Sequence, residues 1–147
     1  MQYQTRLSAG LDLPSLEAIT IRPNQRVLVD TGVYLKDILP DAVNYMINPH
    51  VIICGMVCPR SGLAAKYGLT VLNAPGIIDL DYPDTIKVCL VNHGEDIVCL
   101  DAGTRIAQLV FSASYRRSEL VKDEQRTGGL GSTGTGEMPG TGEPPYK

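Results

Sequence analysis

Short apolar runs alternate with turn residues over most of this chain. The stretches AITIRP (18–23), RVLVDTGVYL (26–35), VIICGMV (51–57), TIKVCLVN (85–92), DIVCL (96–100) and RIAQLVF (105–111) are rich in Val and Ile. Runs of this length and composition predict strands. They are separated by PNQ, NPH, NAPG, NHGED and DAGT, whose Gly, Pro, Asn and Asp residues are turn chemistry. NAPG reads as a hairpin turn. One short helix fits between Ser61, as N-cap, and Gly68, as C-cap, around LAAKY. A second short turn is possible near LPDAVNYM (39–46). The pattern predicts an all-β domain, a sandwich or barrel, and contains no internal repeat.

The pattern stops at Gln125. From there the chain reads RTGGLGSTGTGEMPGTGEPPYK, with almost no apolar content. Such a segment cannot build a core and is expected to be mobile in isolation. The division is therefore a β-domain over 1–125 and a Gly/Pro-rich arm over 126–147.

Length and charge narrow the function classes. A chain of 147 residues fits one domain. A domain of this size buries about 68–70% of the surface its unfolded chain exposes, enough for a real core. The net charge of −3 offers no broad basic footprint for nucleic acid. An anionic ligand must be captured locally, by a few arginines and backbone N–H groups. No run approaches the roughly 18 apolar residues of a bilayer span. The opening MQYQTRLSAG has no apolar core like that of a signal peptide. The expectation is a location inside the cell, in the cytoplasm or a host-cell interior, with no membrane partner. Cys54, Cys58, Cys89 and Cys99 form no C-x-x-C pair and read as free buried thiols in a reducing compartment.

Four polar clusters interrupt the strand pattern, and a fifth follows it. In SAGLDL (8–13), Asp12 is flanked by leucines, either as a turn residue or as a ligand for Mg²⁺, which favours one or two carboxylates plus waters and phosphates. In PRSGLA (59–64), Arg60, Ser61 and the N–H groups opening a helix make an anion site, or simply a capped helix with a solvated arginine. In NAPGIIDLDYPDTIKV (73–88), Asp79, Asp81 and Asp84 surround Tyr82. An Asn in a turn can present its amide to a base edge, and an Asp beside a ligand can deprotonate water; the alternative is a charged edge that resists aggregation. Gln108 stands in an otherwise apolar strand, facing solvent or buried with partners. RTGGLGSTG (126–134) places an arginine and a Ser-Thr pair among four glycines, a phosphate-binding composition on a loose tail.

In this order and at these spacings, SAGLDL, PRSGLA, NAPGIIDLDY, RIAQLV and RTGGLGSTG resemble the five motifs of the trimeric dUTPases, from Ser8 to about Gly134. The resemblance implies a jelly-roll-like β-barrel or β-clip with one short helix and a flexible C-terminal arm. It implies hydrolysis of dUTP to dUMP and pyrophosphate with Mg²⁺ as cofactor, which limits uracil in DNA and supplies dUMP for dTMP synthesis. By the same resemblance Asp79 activates the water that attacks the α-phosphorus, and Asp12 reaches Mg²⁺ through water. Arg60, Ser61, Gly62 and Gln108 hold phosphate oxygens. Asn73 and the backbone around Gly76, Ile77 and Lys87 read the uracil edge, and Tyr82 packs under the deoxyribose. Arg126, Leu130, Gly131, Ser132 and Thr133 close over the ligand as a lid. The implied assembly is a homotrimer with active sites between subunits, each completed by a third subunit's tail.

Three departures mark this chain. Leu130 stands where the family usually carries an aromatic ring, Pro83-Asp84 where Arg-Gly usually follows the tyrosine, and the segment 40–58 is longer than usual. Two rival readings remain at this point. A dCTP deaminase of related fold would need a glutamate where Cys89 stands. A non-catalytic trimeric module would carry the motifs without the activity.

Overall fold

The computed structural model describes residues 3–39, 46–48, 50–120 and 128–129. Ten strands in these residues form three antiparallel sheets. They are β1 (Gly10–Pro14), β2 (Ile19–Ile21), β3 (Arg26–Tyr34), β4 (Met46–Asn48), β5 (Val51–Pro59), β6 (Leu69–Val71), β7 (Gly76–Ile78), β8 (Thr85–Asn92), β9 (Val98–Leu100) and β10 (Arg105–Tyr115). The largest sheet runs β1-β10-β5-β4, with β7 also paired to β5; β3-β8-β6 and β2-β9 form the others.

Period-two burial explains the strands. In β8, Ile86, Val88 and Leu90 are buried while Thr85, Lys87 and Cys89 are half-buried. In β10, Ile106, Ala107 and Leu109 enter the same core as Leu11 and Leu13 of β1 and Val57 of β5. Removing this apolar surface from water is the main favourable term in folding. The buried polar residues are satisfied. Asn92 donates from Nδ2 to the carbonyls of Ile21 and Asp96 and accepts from the Gly94 N–H. Among the described residues, no buried side-chain nitrogen or oxygen lacks a partner.

Every strand expected from the apolar runs is present, and the additional ones are short or polar. β1 lies inside the SAGLDL cluster, and β10 continues four residues beyond Phe111. α2 (Ser61–Tyr67) is the anticipated helix, closed by Gly68 in the left-handed conformation at φ 67°. Ser61 is its first helical residue rather than its cap. The N-cap is Arg60, which makes no side-chain capping bond because a guanidinium has no acceptor to offer the helix N–H groups. A further one-turn helix, α1 (Leu35–Ile38), follows β3 directly and buries Leu35. The turn expected over 39–46 falls largely outside the described residues.

NAPG is not a hairpin. β6 pairs with β8 and β7 with β5, so the turn passes the chain from one sheet to another. The Ala74 N–H still donates to the Val71 carbonyl, as in a tight turn, but burial of Leu69 and Val71 on one sheet and Ile78 on the other overrides local pairing. The four cysteines are all free. Only Cys54 is buried; Cys58 and Cys89 are half-buried and Cys99 is exposed, which corrects the expectation of four buried thiols.

Candidate active site

Three motifs converge where β1, β10 and β5 end side by side. Asp12 is paired with Gln108, and Gln108 with Cys58, in the strand register. This brings Asp12, Gln108 and the Pro59–Arg60 segment together, although they are far apart in sequence. Arg60 Nε donates to Asp12 Oδ1 at 3.0 Å, and Arg105 Nη1 to Asp12 Oδ2 at 3.1 Å. Arg60 Nη1 also donates to the Arg105 carbonyl at 3.0 Å. The Asp12 side chain is 13% exposed, so both guanidinium groups are held by a carboxylate largely shielded from water. Two positive groups against one negative leave the cluster with excess positive charge, suited to an anion. Arg105 was not singled out by the sequence; its place three residues before Gln108 in TRIAQ was the available signal.

Gln108 is neither solvent-facing nor stranded. Its Nε2 donates to the Pro59 carbonyl at 2.9 Å. Its side chain occupies the space above Gly10, where any Cβ would overlap the amide oxygen. Ser61 and Gly62 open α2 beside this cluster and are exposed, with open space above Gly62.

The second group of candidates lies around β7 and β8. Asn73 leans over Gly76, its amide nitrogen 3.2 Å from where a Cβ would stand. Ile77 is exposed between buried Gly76 and Ile78. Asp79 is exposed and opens a turn whose Tyr82 N–H donates to the Asp79 carbonyl at 3.1 Å. Tyr82 and Leu80 pack against the core. Lys87 lies in β8 opposite Asp30 of β3. Gly129 of the arm reaches this region, since a Cβ there would run into the Tyr82 ring. Arg126, Leu130, Gly131, Ser132 and Thr133 lie outside the described residues.

Within one chain Asp79 lies well away from the Arg60 end of β5. Ile78 pairs with Gly55, and Arg60 follows Gly55 by five positions (55 to 60) along an extended strand. At about 3.3 Å per residue the Asp79 end and the Arg60 end stand roughly 17 Å apart.

Burial pushes the Cys89 thiol upward, only partly offset by the nearby Arg26 charge. A thiol kept protonated in this way cannot perform the acid–base work of a glutamate, which argues against the deaminase. No three His, Cys, Asp or Glu side chains gather into a metal cage among the described residues. The donor set is one carboxylate already shared by two guanidinium groups. It fits Mg²⁺ that brings most of its ligands as waters and phosphate oxygens.

Comparison with known proteins defines the class of this site. The dUTPase family model matches residues 1–135. A deoxyuridine 5'-triphosphate nucleotidohydrolase of Anaeromyxobacter sp. is 41% identical over 138 residues, covering 90% of this chain and 86% of that protein. One of Cytophaga hutchinsonii is 42% identical over 139 residues, covering 90% and 82%. The crystal structure of a dUTPase from Streptococcus mutans superposes with a TM-score of 0.61 at 30% identity, over 76% of this chain and 82% of that one. The chain belongs to the dUTPase family. Its fold is the all-β arrangement of those enzymes, and its activity is dUTP diphosphatase activity, hydrolysis of dUTP.

Proposed function

We propose that a water held and deprotonated by Asp79 attacks the α-phosphorus of dUTP. The water oxygen forms the new bond to phosphorus, the bond to the bridging oxygen of the β-phosphate breaks, and pyrophosphate leaves as dUMP forms. The proton passes to the Asp79 carboxylate. The observation that carries this reading is the division of the candidates into an anion clamp (Asp12, Arg60, Arg105, Gln108) and a carboxylate loop some 17 Å away. Attack at the α-phosphorus needs the two in contact, and a second copy of the chain can bring them together. A homotrimer with active sites between subunits meets that need.

In this arrangement Arg60, Ser61, Gly62 and Gln108 hold phosphate oxygens. Asn73 and the backbone at Gly76, Ile77 and Lys87 read the uracil edge, and the Tyr82 ring leaves no room for a solvated 2'-OH. Asp12 would hold Mg²⁺ through water, and the ion would supply neutralisation of phosphate charge. Arg126, Leu130, Gly131, Ser132 and Thr133 close over the ligand and exclude bulk water. In the cell, inside the cytoplasm or a host-cell interior, this activity limits uracil in DNA and supplies dUMP for dTMP synthesis.

Pyrophosphate release from dUTP, measured on the parent and on Asp79→Asn, tests the mechanism. The amide preserves shape but cannot accept the proton, so the variant should bind dUTP and lose roughly 10²–10⁴-fold in kcat. Turnover within a few-fold of the parent would remove Asp79 from the role of base.

A further inference from the structure

The loop carrying Asp79 and Tyr82 runs between two different sheets. Its entry is fixed by the pairing of β7 with β5, and its exit begins at Thr85, the first residue of β8. Between them, Pro83 has no N–H to contribute. The exit is also where the ladder between β3 and β8 is irregular. Asp30 pairs with Lys87 and Tyr34 with Thr85, so four steps on β3 face two on β8. Such a bulge forfeits regular ladder hydrogen bonds and needs replacements.

Side chains of β3 supply them. Asp30 Oδ1 accepts the N–H of Gly32, which bends at φ 67°, a conformation open to glycine. Asp30 Oδ2 accepts the Thr85 hydroxyl at 2.9 Å. The neighbouring Thr31 donates its hydroxyl to the Ile86 carbonyl at 2.7 Å. A single half-buried carboxylate therefore shapes the bulge with one oxygen and holds the start of β8 with the other. Thr85 lies three residues after Tyr82 and two before Lys87, so the tie sits between the sugar-packing ring and the base-reading backbone.

We propose that Asp30 is a positioning residue for the Asp79–Tyr82 loop, acting through the Thr85 hydroxyl. It touches no reacting atom. It keeps the loop exit in one place, so that Asp79 and the Tyr82 ring meet the substrate in register. The inference rests on the reading that Asp79 and Tyr82 act on dUTP.

The test uses the full-length chain with Thr85→Val, which keeps the β-branched shape and removes the hydroxyl, and Thr85→Ser, which keeps the hydroxyl. Thr85→Val should lower kcat roughly five- to tenfold, the equivalent of about one net hydrogen bond. It should also narrow the discrimination between dUTP and UTP and speed amide hydrogen exchange over 79–85, while Thr85→Ser restores all three. Asp30→Ala removes the acceptor and the Gly32 bond as well, so it should act in the same direction and at least as strongly, and the double variant should be no worse than Asp30→Ala alone. Unchanged exchange over 79–85 in both Thr85→Val and Asp30→Ala overturns the proposal, as do strictly additive effects. A parent that releases no pyrophosphate from dUTP, or an active Asp79→Asn, would sink the underlying mechanism instead; the exchange rates of the loop judge the Asp30 anchor in either case.

Discussion

Gly10→Ala places one methyl group where the structure has no room for it. The added Cβ would overlap the Gln108 amide oxygen and lie 3.1 Å from its Cδ and 3.2 Å from its Cβ. The amide end could swing aside, but only by giving up its bond to the Pro59 carbonyl. The Gln108 Cβ cannot move without shifting β10, which is paired on both sides. Loss of the hydrogen bond costs about 0.5–1.5 kcal/mol. Overpacking a close contact adds about 1–3 kcal/mol. The sum, about 2–4 kcal/mol, should lower the melting temperature by roughly 5–10 °C for a chain of this length. Displacing the amide should also remove the proposed phosphate contact and lower kcat/KM for dUTP by roughly tenfold or more, as expected for a hydrogen bond to a charged group. The assay is a thermal melt at fixed protein concentration, because the proposed assembly would make the midpoint concentration-dependent, together with pyrophosphate release. In a Gln108→Ala background the overlap with the amide is absent and only the 3.2 Å contact with the residue-108 Cβ remains, so Gly10→Ala should cost markedly less there than in the parent. A full additional loss in that background would refute the reasoning, since the cost would then lie outside the Gly10–Gln108 contact.

Gly129→Ala should reduce kcat/KM several-fold with little change in melting temperature, because its Cβ meets the Tyr82 ring rather than the core; equal activity would mean that the arm does not close over Tyr82. Cys89 should react with iodoacetamide more slowly than exposed Cys99 at pH 7.5, since burial disfavours its thiolate; peptide mass mapping that finds equal labelling would contradict this. The sign of the pH effect follows. The folded-state pKa of Cys89 lies above its unfolded value, so its contribution is complete below the ordinary thiol pKa of about 8.5 and is lost as pH rises through the thiol range. Urea midpoints between pH 7.5 and 10 should therefore fall more steeply for the parent than for Cys89→Ser.

Sequence alone marked out the strands that build the core and the polar clusters that are candidates for the site. Alternating Val and Ile runs such as TIKVCLVN became β8 with the expected boundaries, because period-two burial is a local property of the chain. Gly68 closed α2 because only a left-handed residue ends the helix there, and that preference is also local. Residue type made the polar clusters candidates with a structural alternative beside each, and their roles came from the resemblance to the dUTPase motifs. What sequence could not decide was how the strands are distributed among sheets. NAPG has hairpin chemistry, yet β6 and β7 join different partners, because long-range burial outweighs a turn preference. Only the register of β1, β10 and β5 brought Arg105 onto Asp12, across 93 positions of chain. The same register turned the glycine of SAGLDL into a seat for Gln108. The bulge that ties Asp30 to Thr85 had no local signal, since it arises from two strands of unequal step meeting across 55 positions. Contacts between distant segments depend on which surfaces are buried together, and that is fixed only when the sheets assemble.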